Sequence, residues 1–577
     1  MCGIFCAIGQ NNDASCHLHS ALEQLLHNRG PDVQDKLIVD NVLLAGNVLW
    51  QQGAAPQKQP LVENDLVLLF NGDLYNLDEK KVESEADSAW LIKELNKCNM
   101  SDDEQLLALL RQLEGPYCLI LYNKREKVLY FCRDALGRNS LIIERHANNC
   151  LKLMSTSCPV LEHMASAALE LPPLGLYKLP LAQLNECCLY PWQALNEQTQ
   201  QQLSTLETAM DWSMRLGQTI APSWLLDKPL QVSSFDLYAL AAGDIPLELL
   251  HERLLGNEAV QQALNQLDEL LQRSVAARVL HTAPVCRLCS GSDRSDARCS
   301  HAKVCILFSG GIDCSILAVL ADKYVPASEP IELINVAFER VAAAPDESWN
   351  VPDRQTSLQS LLELQRLCPR RSWQLLQVNV SREQLQQQLA AHIRQLIYPL
   401  RTVLDESLGC AFWFAAAAAD STARVALLGS GADELFGGYT RHRNAWRRAA
   451  PSAAARELAL RQELEMDWQR IPARNLARDD RIIADCGKTA RAPFIEEHLA
   501  QFVRSLAPQQ RCCYALPEGV GDKLLLRLYG QRLGLRDATL LKKRAIQFGS
   551  RIADKKQQAT QISEYLRFDS LQSNGLQ

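Results

Sequence analysis

Three groups of residues in this 577-residue chain have the types and spacing to do chemistry. Cys2 stands second, where a small residue lets the initiator Met be removed and leaves a thiol and a free α-amine on one residue. Such an amine takes the proton of its own side chain before the sulfur attacks an amide carbonyl. Arg29-Gly30-Pro31-Asp32 and Asn71-Gly72-Asp73-Leu74-Tyr75-Asn76 follow at separations that allow a return to the N-terminus. Asn71-Gly72, closing the apolar run Leu66 to Phe70, offers a side-chain amide and a flexible backbone N–H where an oxyanion would develop. Together these residues point to amide hydrolysis.

The second group handles phosphate. Val304 to Phe308 reads as a strand, Ser309-Gly310-Gly311-Ile312-Asp313-Cys314-Ser315 follows at once, and a helix opens from Ile316 to Tyr324. Glycines let the backbone approach an anion, the serines add hydroxyl donors, and the free N–H groups of the new helix point at the same spot. No Lys ends the loop, which separates it from the Gly-Lys-Ser/Thr loop of ordinary ATPases. Asp313 suits a magnesium ion bridging phosphates. A second strand and loop, Leu427 to Tyr439, sets Asp433 and Glu434 where another carboxylate would meet that metal. The third group, Cys286-x2-Cys289 followed by Cys299 and His301, has the spacing of a tetrahedral zinc site, with Cys305 already inside the next strand.

The elements that must position these groups divide the chain. Residues 2–190 carry short apolar runs separated by turn signals, Cys2 to Ile8, Leu66 to Phe70, Pro116 to Tyr122, Val128 to Cys132 and Leu141 to Ile143, with helices near Ser20 to His27 and Ala86 to Asn96. Residues 191–258 turn Gln-, Asn- and Leu-rich without turn chemistry or strand periodicity and read as a connector or insertion. From 259 to 577 an amphipathic helix, Val260 to Arg278, precedes alternating strands and helices, the pattern of a parallel sheet wrapped by helices, and the part from Arg441 onward reads as mostly helical.

Composition narrows the partners. Hydrophobic residues at 47% and charged ones at 22% exclude wholesale disorder and fibrous repeats. A formal charge of -7 leaves no footprint for a long nucleic-acid backbone. The longest apolar stretch, Gly409 to Ala419, falls short of the roughly 20 residues of a membrane span, and no basic flank marks a signal peptide. Twenty cysteines, dilute in so long a chain, suit reduced thiols. The expectation is a cytoplasmic protein acting on small molecules, with neither nucleic acid nor membrane as partner.

Met1-Cys2-Gly3-Ile4, Arg29 to Asp32 and Asn71 to Asn76 resemble the class II glutamine amidotransferase domain. Ser309 to Ser315 resembles the pyrophosphate-binding loop of enzymes that split ATP into AMP and pyrophosphate, and Leu427 to Tyr439, Arg481 to Phe494 and Lys542 to Phe548 are similar to segments of glutamine-hydrolysing asparagine synthetases, in their asparagine synthetase domain-containing branch. The resemblance implies an α+β four-layer amidotransferase domain followed by an α/β parallel-sheet ATP pyrophosphatase domain with a helical C-terminal part. It implies Cys2 as nucleophile, Asn71 and Gly72 as oxyanion hole, and Asp87 as partner of the glutamine amino group. Ser309, Gly310, Gly311, Asp313, Cys314 and Ser315 would take ATP and pyrophosphate, with Lys543 or Arg544 laid against the latter and Asp313 and Asp433 on magnesium. ATP and Mg2+ then join glutamine and aspartate in asparagine synthesis through an aspartyl-adenylate. Two positions depart from the family. Gly46 to Gln52 lacks the arginine that clamps the glutamine carboxylate, and Ser430 stands between Gly429 and Gly431 where a glutamate is usual. A ligase with another acceptor, or a scaffold that keeps the fold, stays open beside asparagine synthesis.

Overall fold

The computed structural model describes residues 2–9, 18–77, 85–146, 150–159, 167–290, 299–340, 347–553 and 559–567; the end of the expected second domain, 568–577, lies outside the described residues. The first unit stacks two sheets. One has six strands in the order Ala167–Glu170, Ile142–Arg145, Leu151–Met154, Gly3–Ile8, Val42–Val48 and Val33–Val39. The other has seven, in the order Ser213–Leu216, Glu186–Pro191, Gly175–Pro180, Val128–Arg133, Tyr117–Asn123, Leu66–Gly72 and Leu61–Glu63. Ile4, Cys6 and Ile8 meet Val67, Leu69 and Ile120 between the sheets. Phe5 and Ala7, on the alternate face, pack on Leu22 and Leu26 of helix Ser20–Arg29. Helices Asp87–Lys97 and Asp103–Arg111 cover the outer face of the second sheet through Leu91, Leu95, Leu106 and Leu110. This is the expected four-layer arrangement. Layers on both faces of each sheet explain why Gly3–Ile8 and Leu66 to Phe70 are apolar without alternation.

The first sheet system continues past Tyr190, so the segment 191–258 is not a separate connector. Asn196 and Thr199 form a reciprocal cap on helix Glu197–Met210, and Leu203, Leu206 and Met210 sink into the core between the sheets. Strand Ser213–Leu216 then pairs in parallel with Glu186–Pro191. A Gln-rich run has good helix propensity, and one Asn-x-x-Thr cap suffices to start it. Farther on, Phe235, Leu237, Leu250 and Leu254 belong to the core of the second unit.

The second unit is built on a five-stranded parallel sheet in the order Trp373–Val380, Ile331–Phe338, Val304–Leu307, Val425–Leu427, Thr489–Arg491. The last strand lies within the C-terminal part, which is otherwise mostly helical as expected. At three residues it is too short to carry a periodicity. Val304 and Ile306 face helix Glu258–Leu280 and its neighbours, while Cys305 faces helix Val403–Ala416. The chain runs outward from Val304–Leu307 in one direction, then returns to build the other half beside it. The carboxyl ends of Val304–Leu307 and Val425–Leu427 therefore lie together at a topological switch point, the usual crevice of an open α/β sheet. Among the described residues no helix is long and apolar enough to cross a membrane.

The two units meet through buried arginines. Arg29 pairs with Asp480 at 3.1 Å and Arg491 with Asp73 at 3.0 Å, while Arg138 pairs with Glu497, Arg424 with Asp32 and Arg481 with Glu170. Asp73 is 1% exposed, and although burial would raise its carboxyl, the Arg491 guanidinium together with other neighbours, the Gln52 amide and His281 among them, holds it below the ordinary value. Removing one partner of such a pair strands the other. Arg491→Ala is expected to cost about 3–5 kcal/mol, read as a lower urea midpoint of the full-length chain; an unchanged midpoint would show that the two units hold together without this pair.

Candidate functional site

Cys2 enters the first strand at 8% exposure. Its nitrogen donates to Asn71 Oδ1 at 2.7 Å, and its carbonyl accepts from Arg29 Nε and Ser155 Oγ, each at 3.2 Å. Gln59 is locked to both backbone groups of Phe70 and brings its Nε2 to 3.8 Å from Cys2 Sγ. Burial, helped by the Asp87 carboxylate, pushes the Cys2 thiol up against the lowering influence of the Leu49 backbone and Arg29. Asn71 and Gly72 end their strand, with the Asn71 amide nitrogen donating to Cys118 Sγ at 3.6 Å and its backbone carbonyl held by Asn139. As oriented, the Asn71 side chain fixes the Cys2 nitrogen through its oxygen.

Asp87 opens helix Asp87–Lys97, 7% exposed, and accepts from Leu74 N at 3.1 Å, Ser88 N at 2.8 Å and Gln52 Nε2 at 3.2 Å. Gln52 also donates to Asp73 Oδ1 at 3.3 Å. The stretch that lacks an arginine thus delivers an amide bridging two carboxylates. The nearest guanidinium of this group, Arg491, comes from the other unit and is committed to Asp73 and to the carbonyls of Arg278 and His281. Sequence reading missed Gln52, Asp73 and Arg491, whose partners lie up to 418 residues away.

At the switch point of the parallel sheet the two loops enclose a cavity of about 470 Å³. Ser309, Gly311, Asp313 and Cys314 line it from the first loop, and Gly429, Ser430, Asp433 and Glu434 from the second. Gly310 and Ser315 do not line it: Ser315 is fully buried and turned toward the Gly310 carbonyl. Gly310 adopts φ +79°, and a Cβ there would overlap the backbone of Thr356 at 2.4 Å. A Cβ at Gly429 would stand 3.1 Å from that of Asp313, so glycine keeps the two loops in contact. Helix Ile312–Tyr324 starts at Gly311 with no side-chain cap, leaving its first amides to the cavity.

Four charges alternate at this cavity: Asp313, Asp433 and Lys543 line it, and Lys523 is buried between the two aspartates. Lys523 Nζ donates to both oxygens of Asp313 at 2.7 Å and lies 3.0 Å from Asp433, which Lys543 also grips. Lys523 is 1% exposed and left-handed at φ 53°, at the head of helix Leu524–Arg532. Burial would raise the Asp433 carboxyl, but the two lysines outweigh it and hold it well below the carboxylate range. Glu434, one residue on, accepts from Tyr439 Oη at 2.7 Å; burial and the neighbouring Asp433 charge push it up to about 7. Asp353, on helix Pro352–Leu367, is likewise pushed up to about 7 by burial, against the nearby Arg544 and Lys543. The lining also includes Arg441, Arg470, Arg474, Asn475 and Arg478, the last paired with Asp405 and Asp479. Lys523 is the principal residue that sequence reading missed; its signal was a charge opening the apolar run Leu524 to Leu526. Cys286, Cys289, Cys299 and His301 gather elsewhere, against Trp50.

Comparison with known proteins agrees with both halves. Residues 1–196 match the glutamine amidotransferase domain family and residues 296–459 the asparagine synthase family. The chain is 53% identical over 576 residues to the asparagine synthetase domain-containing protein CG17486 of Drosophila melanogaster, covering 98% of this chain and 100% of that protein. It is 33% identical to asparagine synthetase domain-containing protein 1 of Homo sapiens, with 96% and 95% covered, and 25% identical to YML096W of Saccharomyces cerevisiae, with 91% and 87% covered. An amidotransferase-type unit and an asparagine synthase-type unit, joined by buried ion pairs and matched along almost their whole length, place this chain in the family of asparagine synthetase domain-containing proteins.

Proposed function

We propose that this protein is an ATP-consuming carbon–nitrogen ligase that makes an amide from a carboxylate, with aspartate as the first acceptor to test and asparagine as the product. The carboxylate attacks the α-phosphorus of ATP, pyrophosphate departs, and ammonia displaces AMP from the acyl-adenylate. The observation that carries this reading is the alternating row Asp313, Lys523, Asp433, Lys543 beside the open amides of helix Ile312–Tyr324. The helix amides suit the phosphate oxygens. Lys523 and Lys543, now on carboxylates, suit the charge that grows on the departing pyrophosphate. Asp313 and Asp433 offer the hard oxygen donors that would hold magnesium, which neutralises phosphate charge when bound. Arg470, Arg474 and Arg478 favour an anionic acceptor. Ammonia would come from glutamine at Cys2, where the thiolate attacks the side-chain carbonyl and water releases glutamate. Twenty cysteines, most of them buried, support a reducing compartment such as the cytoplasm.

One observation favours a variant of this reading, in which free ammonium serves better than glutamine. Gln52 already spans Asp73 and Asp87, so an incoming glutamine amine must displace an internal amide, and the Arg491 guanidinium is spent on Asp73. Ser430 leaves Glu434 as the adjacent carboxyl, half ionised near pH 7.

Pyrophosphate release by the full-length protein with ATP, Mg2+, aspartate and ammonium is the direct test, and silence with every nitrogen source and acceptor would sink the ligase reading. Lys523→Met is expected to lower release by roughly 100-fold or more, and Cys2→Ala to abolish any glutamine-driven rate while sparing the ammonium-driven one. A pH series checks the environment of Glu434. An unfolded glutamate loses its proton near 4.5, so between there and about 7 the folded state binds the extra proton and rising pH costs stability. Glu434→Gln is expected to be more stable than wild type at pH 8 by about 2–3 kcal/mol, the gain shrinking towards pH 5; a pH-independent difference in melting temperature would contradict this.

A further inference from the structure

Between helix Glu258–Leu280 and strand Val304–Leu307 the chain makes two short arms whose sulfur and imidazole groups converge. Cys286 and Cys289 lie on the first arm, Cys299 and His301 on the second, and their four ligand atoms all lie within 4.8 Å of one another. His301 Nδ1 stands 3.6 Å from Cys286 Sγ and 3.4 Å from Cys289 Sγ. A tetrahedron with metal–sulfur bonds of about 2.3 Å and a metal–nitrogen bond of about 2.0–2.1 Å has sulfur–nitrogen edges of about 3.5 Å, so these separations are the edges of a zinc site. Three thiolates and one imidazole form a soft donor set that suits zinc and disfavours magnesium or calcium.

The surrounding backbone is arranged for thiolates. The Cys286 amide donates to Cys299 Sγ at 3.1 Å, the His301 amide points at the same sulfur, and the amides of Leu288 and Cys289 point at Cys286. Each arm folds N–H groups over a sulfur, as metal-bound thiolates require. The arms are anchored at a junction of the two units. Arg287 bonds the carbonyl of Thr422 through its amide at 2.9 Å and that of Ser421 through its guanidinium at 3.0 Å. Ser290 donates to Asp32, the partner of Arg424, and Cys289 and Cys299 pack on Trp50.

We propose that Cys286, Cys289, Cys299 and His301 bind one zinc ion as a closed structural site. Four protein ligands leave no position for a reacting water. The ion joins the arm that follows the long helix to the arm that leads into the phosphate-loop strand, and holds both under Trp50 of the first unit. It therefore stands outside the ligase chemistry and holds or fails independently of it.

The test is metal analysis of the full-length protein, prepared without a histidine tag and dialysed against buffer free of metal. Wild type is expected to retain about one zinc per chain, and Cys289→Ser and His301→Ala to lose it at least tenfold. Cobalt exchanged into wild type should give the d–d bands of a tetrahedral ion together with sulfur charge transfer, a readout that stands even if the variants fail to fold. Folded wild type with substoichiometric zinc and no tetrahedral cobalt spectrum would overturn the proposal. So would full zinc retention in the Cys286→Ser, Cys289→Ser double variant, or a Cys286–Cys299 disulfide found by mass spectrometry in the native protein.

Discussion

The structure depends on buried guanidinium groups that reach across the two units for carboxylates, Arg138 also keeping Asp134 of its own unit. Arg29 and Arg138 reach out of the first unit, Arg424, Arg481 and Arg491 out of the second, and each finds its carboxylate on the other side. Buried ion pairs contribute little net stability against an apolar replacement, yet a lone buried charge is costly. The exchange is reciprocal, so each unit, taken alone, holds both unmatched cations and unmatched anions. That reciprocity helps make the pair of units one object, beside apolar contacts of Leu25 with Leu389 and Ile393 and of Leu136 and Trp224 with Ile471 and Ile495.

The same groups tie the two chemistries together. Arg29 touches the carbonyl of Cys2 with one nitrogen and Asp480 with another. Asp480 sits on helix Ala477–Ala484, whose Arg478 and Asp479 line the cavity of the second unit. Arg491 ends a strand of the parallel sheet and holds Asp73, which shares Gln52 with Asp87. A shift of the second unit thus bears directly on the groups around the Cys2 thiol and around the Asp87 carboxylate.

What the sequence made legible was chemistry written in contiguous residues. Ser309 to Ser315 and Gly429 to Glu434 were visible because a strand, a glycine turn and a helix start occur within a dozen residues, and the switch point of the sheet brings the two runs together. Asn71 was visible as the amide closing the apolar run Leu66 to Phe70, and Asp87 only through the family resemblance. What stayed hidden was contributed singly from far away. Lys523 is one cation before an apolar helix, and Gln52 and Arg491 acquire meaning only when Asp73 lies between them. Secondary structure failed where the signal was short or masked by composition: Thr489–Arg491 has three residues, and helix Glu197–Met210 announced itself only by its Asn196 cap.

The row Asp313, Lys523, Asp433, Lys543 has a long-range consequence. Its charges alternate in sign and sum to zero, so seen from a few ångströms away it resembles a linear array of opposed dipoles whose field dies quickly. It exerts no pull on a distant polyanion. An anion that engages the row would have to take its ammonium groups over from the carboxylates, and so match in geometry as well as charge. Any longer-range pull at this cavity must therefore come from its arginines, Arg441, Arg470 and Arg474 among them, set beside the apolar wall of Ile334, Val336 and Phe412.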